Sequence, residues 1–200
     1  AEAVSRTTDI GSSKEKAITS ETPVLPLLVR SVRGLTPDPD NAGQYMAGVC
    51  SLARGNMTTQ QLKDSLAAQG ADMAALPEPV RAIVNGSPEY HAAACAAYGV
   101  ITTSRPSSGW EVNPSSGDAM GYMAGELAAG LASAEVLAPI AQELAKQPGK
   151  SEAEYQELAA ARFRELAPLW ISTYDKELTA QRQYVKDLTG RHAAPFHFTT

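Results

Sequence analysis

The sequence predicts an all-α protein, a single-domain bundle of about six to eight helices, which is the architecture that amphipathic helices form by burying their apolar faces together. Aromatic residues make up only 6% of the chain while alanine is frequent, which favours closely packed helices over β-branched strands. Apolar residues recur at spacings of three and four. Ser, Thr or Asp precedes several of these stretches and glycine follows them, as expected at helix ends.

The composition divides the chain into three ranges: a leader, a helical domain and a tail. Residues 1–22 are rich in Ser, Thr, Lys and Glu without an apolar period, and they predict a flexible leader. Residues 23–191 form the predicted helical domain, and 192–200 a short tail. The chain starts at Ala1 rather than at methionine, as it would after removal of a signal peptide, although trimming for expression would give the same start.

The first helix is predicted in the apolar run after Pro23, with Gly34 as its stop. A strand is the alternative, which Pro26 and the apolar spacing disfavour. The side chains expected in the core are Leu25, Leu28, Val29 and Val32.

A helical hairpin is predicted next. Its first helix runs from Asn41 to Arg54, and Gly55 breaks it. Thr58 and Gln61 have the spacing of a capping box, which opens a second helix that ends near Gly70. A shorter helix is expected over 77–85.

The segment from Ser87 to Gly99 has the most complete set of helix-end signals, with Pro88 at the first helical position and Gly99 as a left-handed stop. His91 and Cys95 are four residues apart and share one face. The following residues, 100–118, predict either an irregular loop or a β-hairpin in which residues 100–102 and 110–112 pair.

Two long helices are expected in the second half. One starts after Asp118 and carries small residues at Gly121, Gly125 and Ala129, which would let another helix approach closely. Glu126, Glu135 and Pro139 disfavour a membrane span there, so a buried core helix is expected. The other, opened by a Ser151–Glu154 capping box, should extend to about Thr189, and Pro168 should kink or divide it.

Cys50 and Cys95 are the two cysteines, and no Cys-x-x-Cys motif is present. We expect one inter-helix disulfide between them, formed in an oxidising compartment such as the bacterial periplasm. A pair of buried free thiols is the alternative. A nucleophilic Cys95 activated by His91, and a zinc site of His91, Cys95 and Cys50, are both disfavoured, since no orienting acid and no paired metal-ligand spacing is evident.

The charge balance and the absence of known motifs disfavour several classes of function. Twenty-two acidic and 17 basic residues give a net charge of −5, which disfavours nucleic-acid binding. No phosphate loop, dinucleotide fingerprint, nucleophile elbow or metalloprotease motif occurs, so no cofactor or metal is expected.

A non-catalytic, secreted or periplasmic protein that binds another protein is therefore expected, of the immunity, inhibitor or envelope-assembly accessory type. The first candidate surface is the loop with Arg105 and Trp110, residue types common at interface hot spots. The second is the aromatic tail with Phe196, His197 and Phe198. A cell-envelope hydrolase with a site that sequence order hides is the alternative, and a ligand-binding bundle with a cavity beneath Trp110 or Trp170 is a third possibility.

Overall fold

The computed structural model describes residues 24–38, 40, 43–103 and 117–199, the last range by its backbone alone at 117–122, 189 and 191–199. The predicted leader, 1–22, lies outside these residues. The described residues contain helices and no strand, which confirms the all-α fold. The helices are α1 (Val24–Arg33), α2 (Met46–Ala53), α3 (Thr59–Ala68), α4 (Glu78–Val84), α5 (Pro88–Thr103), α6 (Gly117–Ala145) and α7 (Glu152–Thr199), with 3₁₀ turns at Gly43–Tyr45 and Met73–Ala75.

Both predicted capping boxes are present. The Gln61 amide donates to Thr58 Oγ1 at 3.0 Å, and the Thr58 amide donates to Gln61 Oε1 at 2.8 Å. At the start of α7 the Glu154 amide donates to Ser151 Oγ at 3.1 Å, and the Ser151 amide donates to Glu154 Oε1 at 2.9 Å. Each pair satisfies two amide donors that a helix start would otherwise leave free, so these two boundaries follow directly from local sequence.

Helices α6 and α7 form a long antiparallel pair. The direction follows from two contacts, Arg162 with Glu143 at 2.6 Å and Trp170 with Ser133 at 3.1 Å, because the numbers rise along one helix as they fall along the other. Buried side chains recur every four residues on both helices, and alanine at many of these positions lets the axes lie close together. These rows are Ala124, Ala128, Ala132, Val136, Ile140 and Leu144 on α6, and Tyr155, Ala159, Phe163, Ala167 and Ile171 on α7.

The predicted small-residue stripe on α6 is shifted. Ala129 is buried, but a side chain added at Gly125 would meet only Tyr174 Oη, at 3.7 Å. The close approach to α7 occurs along the alanine row that starts at Ala124 instead. The stretch Met123–Ala145 is long and apolar enough, by length and composition, to cross a membrane; an 18-residue window within it has a mean hydropathy of 1.3 and is 44% buried within the protein.

Helices α1 and α5 pack on this pair and complete the main core. The predicted burial of Leu28 and Val32 is correct, whereas Leu25 is 59% exposed and Val24, Leu27 and Ser31 are buried in its place. The hydrophobic face of α1 is therefore rotated from the expected one. The buried Ser31 hydroxyl is satisfied because it donates to the Leu27 carbonyl at 2.8 Å.

A second, smaller core lies under α2, α3 and α4, where Met46, Val49, Leu62, Leu76, Val80 and Val84 meet Ala94 of α5. The predicted helix from Asn41 to Arg54 is shorter in the structure, where α2 begins at Met46 after the 3₁₀ turn at Gly43–Tyr45. Gly55 and Gly70 have φ angles of 75° and 83°, so both are the left-handed helix ends that the sequence predicts.

The prediction that α5 stops at Gly99 is wrong. The helix continues to Thr103, which also rules out the strand predicted as an alternative over residues 100–102. A Cβ atom at Gly99 would lie 2.2 Å from Cη2 of Trp170. Glycine is needed at this position because the α7 tryptophan packs directly on the α5 backbone, and not because the helix ends.

Helix α7 likewise passes two predicted interruptions. It is not divided at Pro168, which lies on the exposed side, and it continues beyond Gly190 to Thr199. The missing amide of Pro168 deprives the Arg164 carbonyl of its intrahelical partner on a side that water can reach. Glycine inside a helix, such as Gly190, lowers helix stability by only about 1 kcal/mol relative to alanine, which is too little to end a long helix.

Candidate functional site

The two cysteines form the predicted disulfide, with an Sγ–Sγ distance of 2.02 Å that joins α2 to α5. Cys95 in this bond has no thiolate to act as a nucleophile or a metal ligand. His91 is 5% exposed, and its Nε2 lies 3.4 Å from the Val84 carbonyl oxygen. His91 and Cys95 are therefore parts of the scaffold. Among the described residues, no three His, Cys, Asp or Glu side chains are placed to hold a metal ion together.

The two surfaces expected to bind a partner lie outside the structural description. Arg105 and Trp110 belong to the connection between α5 and α6, which is not among the described residues. Phe196, His197 and Phe198 fall in the last turns of α7, where only the backbone is described. Both surfaces remain predictions.

A polar cleft of about 640 Å³ lies between the end of α2, the start of α5 and the middle of α7. Its strongest feature is the double hydrogen bond from Arg54 to Asp175, with Nε–Oδ2 and Nη2–Oδ1 distances of 2.9 and 2.7 Å. This bond raises the pKa of the Arg54 guanidinium, which partial burial opposes. The pair ties α2 to α7, and because its two charges neutralise each other the pair itself carries no net charge. Glu89 and Arg164 also line this cleft.

An apolar open groove lies between α1, the end of α5 and α6, and we call it the α1–α6 groove. Its volume is about 590 Å³. Val24, Leu25 and Val29 line it from α1, Val100 from the end of α5, and Gly130 and Ala134 from α6. Leu25, which is predicted in the core, lies at its rim with more than half of its surface exposed.

The α6 wall of the groove belongs to a longer apolar stripe. Its residues are three or four apart and so lie on one side of the helix: Met123, Leu127, Gly130, Ala134, Ala138 and Ala141. Met123, Leu127 and the neighbouring Leu131 are between 44% and 46% exposed. A Cβ atom added at Gly130 would meet nothing within 4 Å, so the described residues leave this face of α6 open.

Carboxylates flank the stripe. Glu126 and Glu135 lie beside it, and neither forms an ion pair within the described part of the chain. The stretch Met123–Ala145 contains no lysine or arginine. The third carboxylate of this stretch, Glu143, is bound to Arg162. The open face of α6 is thus apolar along its centre and negative at its sides.

The expectation of a buried core helix for α6 does not predict this groove. A helix that is apolar on several sides needs more than one covered face. The spacing of Gly130, Ala134, Ala138 and Ala141 was the available signal. It did not stand out because the buried row on the opposite side is also rich in alanine.

No protein-family model, curated protein sequence or solved structure matches this chain significantly.

Proposed function

We propose that this protein is a non-catalytic binding protein whose α1–α6 groove receives an amphipathic helix of another protein. The observation that carries the proposal is the groove itself, which continues onto the exposed stripe of α6. Helix-in-groove recognition uses an apolar trough that accepts residues spaced three and four apart. Contiguous exposed apolar surfaces often mark interaction sites.

The chemistry of the groove specifies the partner. Gly130 and Ala134 project little, so a second helix can approach α6 closely and bury its leucines against Leu25 and Val29. Glu126 and Glu135 favour lysine or arginine at the edges of that helix and disfavour carboxylates. The expected ligand is therefore a basic amphipathic helix rather than an acidic or uncharged one.

The disulfide is compatible with an oxidising compartment outside the cytosol. We place the protein in the periplasm or among secreted proteins, where a binding protein of this kind would act as an immunity protein, an inhibitor or an envelope-assembly accessory. The hydrolase alternative gains no support from the described residues, since Arg54 and Asp175 of the polar cleft are paired with each other and His91 is buried.

The test uses a synthetic helix of about 18 residues, long enough to follow the stripe over about 27 Å, with leucines three and four apart and lysines elsewhere. Binding to the full chain is measured by calorimetry. Ala134→Asp should weaken binding at least tenfold, because it places a charge on the apolar wall. The new carboxylate would strengthen a purely electrostatic association, so weaker binding reports apolar docking.

Ala82→Asp is the matched control, because Ala82 is an exposed alanine inside α4, a helix that packs on the second core and does not line the groove. It should bind the peptide as the unmodified protein does. Equal binding by the Ala134→Asp variant, or equal binding of a peptide in which glutamate replaces every lysine, would contradict the proposal.

A further inference from the structure

Thr36 follows α1 and is 9% exposed. Its hydroxyl oxygen is buried and has no hydrogen-bond partner among the described residues, the one side-chain polar atom among them in that condition. Buried hydroxyl groups in folded proteins are almost always paired with protein or with ordered water. An unpaired one that lines a cavity is therefore available to water or to a ligand that enters the cavity.

Thr36 lines a cavity of about 360 Å³ between the end of α1, helix α4, the start of α5 and α7. Most of the wall is apolar, formed by Leu35, Pro37, Pro79 and Ile83. This cavity shares no lining residue with the α1–α6 groove. Its volume is in the range that holds small molecules, and its combination of an apolar wall with few polar groups is typical of ligand sites.

Arg164 of α7 lines the same cavity. Its side chain is exposed and forms no ion pair within the described ranges, unlike Arg162 two residues earlier, which binds both Glu143 and Glu165. A guanidinium group binds a carboxylate through two parallel hydrogen bonds. The cavity thus has a free cation at its exposed side and a free hydroxyl at its buried side.

We infer that this cavity binds a small carboxylate with an apolar body. Arg164 holds the carboxylate, the apolar body packs on Ile83 and Pro79, and the Thr36 hydroxyl pairs with a second polar atom of the ligand. An amino-acid derivative and the free carboxyl end of a peptide share this chemistry. The binding site is independent of the proposed docking of a helix.

The experiment is calorimetric titration of the full chain with N-acetyl-L-leucine, with its amide and with the peptide Ala-Ala-Leu. We expect saturable binding of both free acids below about 20 mM, an affinity typical of a small ligand with few contacts, and at least tenfold weaker binding of the amide. Tenfold tighter binding of the peptide than of the acetylated residue assigns the site to chain ends. Similar binding of the two assigns it to free small acids.

Four variants locate the site. Arg164→Gln should weaken binding about tenfold, the loss expected when a charge-assisted pair is removed. Arg182→Gln is its matched control, since Arg182 is exposed on the same helix without an ion pair among the described residues, and it should bind normally. Thr36→Val should weaken binding severalfold while the melting temperature stays unchanged or rises, and Thr36→Ser, which keeps the hydroxyl, should retain binding.

This pattern separates a ligand contact from a structural role, because a hydroxyl that merely supported the fold would lower the melting temperature when lost. The inference is overturned if neither free acid binds, if the amide binds as well as the acid, or if the Arg164→Gln or Thr36→Val variant binds like the unmodified protein.

Discussion

Gly99 illustrates how one residue sets the packing of two helices. It lies in the interior of α5, where the ring of Trp170 from α7 occupies the space that a Cβ atom would need. Trp170 is itself fixed, because its Nε1 donates to Ser133 of α6 at 3.1 Å and its ring stacks on Tyr174 at 5.2 Å. The tryptophan therefore connects α5, α6 and α7 at a single point.

Gly99→Ala should lower the free energy of unfolding by up to about 2 kcal/mol. Overpacking a core typically costs about 1 to 3 kcal/mol, and the higher helix propensity of alanine returns only about 1 kcal/mol. Gly130→Ala is the control, because its Cβ atom would meet none of the described residues within 4 Å. It should stabilise the protein by about 0.5 to 1 kcal/mol. Urea unfolding followed by circular dichroism measures both, and stabilisation by Gly99→Ala would contradict this account of the packing.

At the scale of the helices, the disulfide joins the smaller core under α2 to the main core on α5. The bonded cysteines are 45 residues apart in sequence. On the loop-entropy model such a cross-link stabilises a fold by about 4 kcal/mol, by restricting the unfolded chain.

A Cys50→Ala, Cys95→Ala double variant should therefore lose about 4 kcal/mol of unfolding free energy. The measurement is urea unfolding of the variant and of the unmodified protein with and without reductant. Reductant should destabilise the unmodified protein and leave the variant unchanged. A variant as stable as the oxidised protein would show that the disulfide contributes nothing.

The predicted tail surface at the end of α7 can be removed by truncation without removing any part of the α1–α6 groove. Val185 is the last described residue that is buried, six positions before Arg191. Truncation after Arg191, which removes Phe196, His197 and Phe198, should therefore leave the melting temperature nearly unchanged and leave binding of the lysine–leucine peptide intact. Weaker peptide binding by the truncated protein would move the docking site from the α1–α6 groove to the tail.

Helix starts and the disulfide could be predicted from sequence because both depend on local chemistry. Thr58 with Gln61 and Ser151 with Glu154 form their boxes within one turn, and two cysteines allow one intrachain pairing. The ends of helices were harder to predict from sequence, because a glycine ends a helix only where its backbone is left-handed. The backbone does turn left-handed at Gly70. Position 99 requires glycine for a different reason: Trp170, about seventy positions away in sequence, packs against the backbone there.

The α1–α6 groove could not be predicted, because it exists only once α1 and α5 are placed on α6. The exposure of Leu25 depends on the rotation of a ten-residue helix, and a stripe of apolar residues permits more than one such rotation. The cavity beside Thr36 likewise needs four separated segments to meet.

For the whole molecule, charge should determine which helix the groove accepts. A Glu126→Gln, Glu135→Gln double variant should bind the lysine–leucine peptide about three- to tenfold more weakly at low salt, and the difference should shrink as salt screens the charges. Calorimetry at two salt concentrations measures this effect. An Asp187→Gln, Glu177→Gln variant on α7 is the control for net charge, and an equal loss in both variants would indicate general attraction to an acidic protein.

We propose that the α1–α6 groove is a docking site for a basic amphipathic helix. Chemical-shift mapping of the isotope-labelled full chain, titrated with the lysine–leucine peptide, shows which residues such a helix contacts. The predicted result is a set of shifts at Leu25, Val29, Gly130 and Ala138 that saturate together, while the exposed apolar residues Leu169 and Tyr184 of α7 do not move. Shifts centred on Leu169 or Tyr184, with the groove residues unchanged, would contradict the claim.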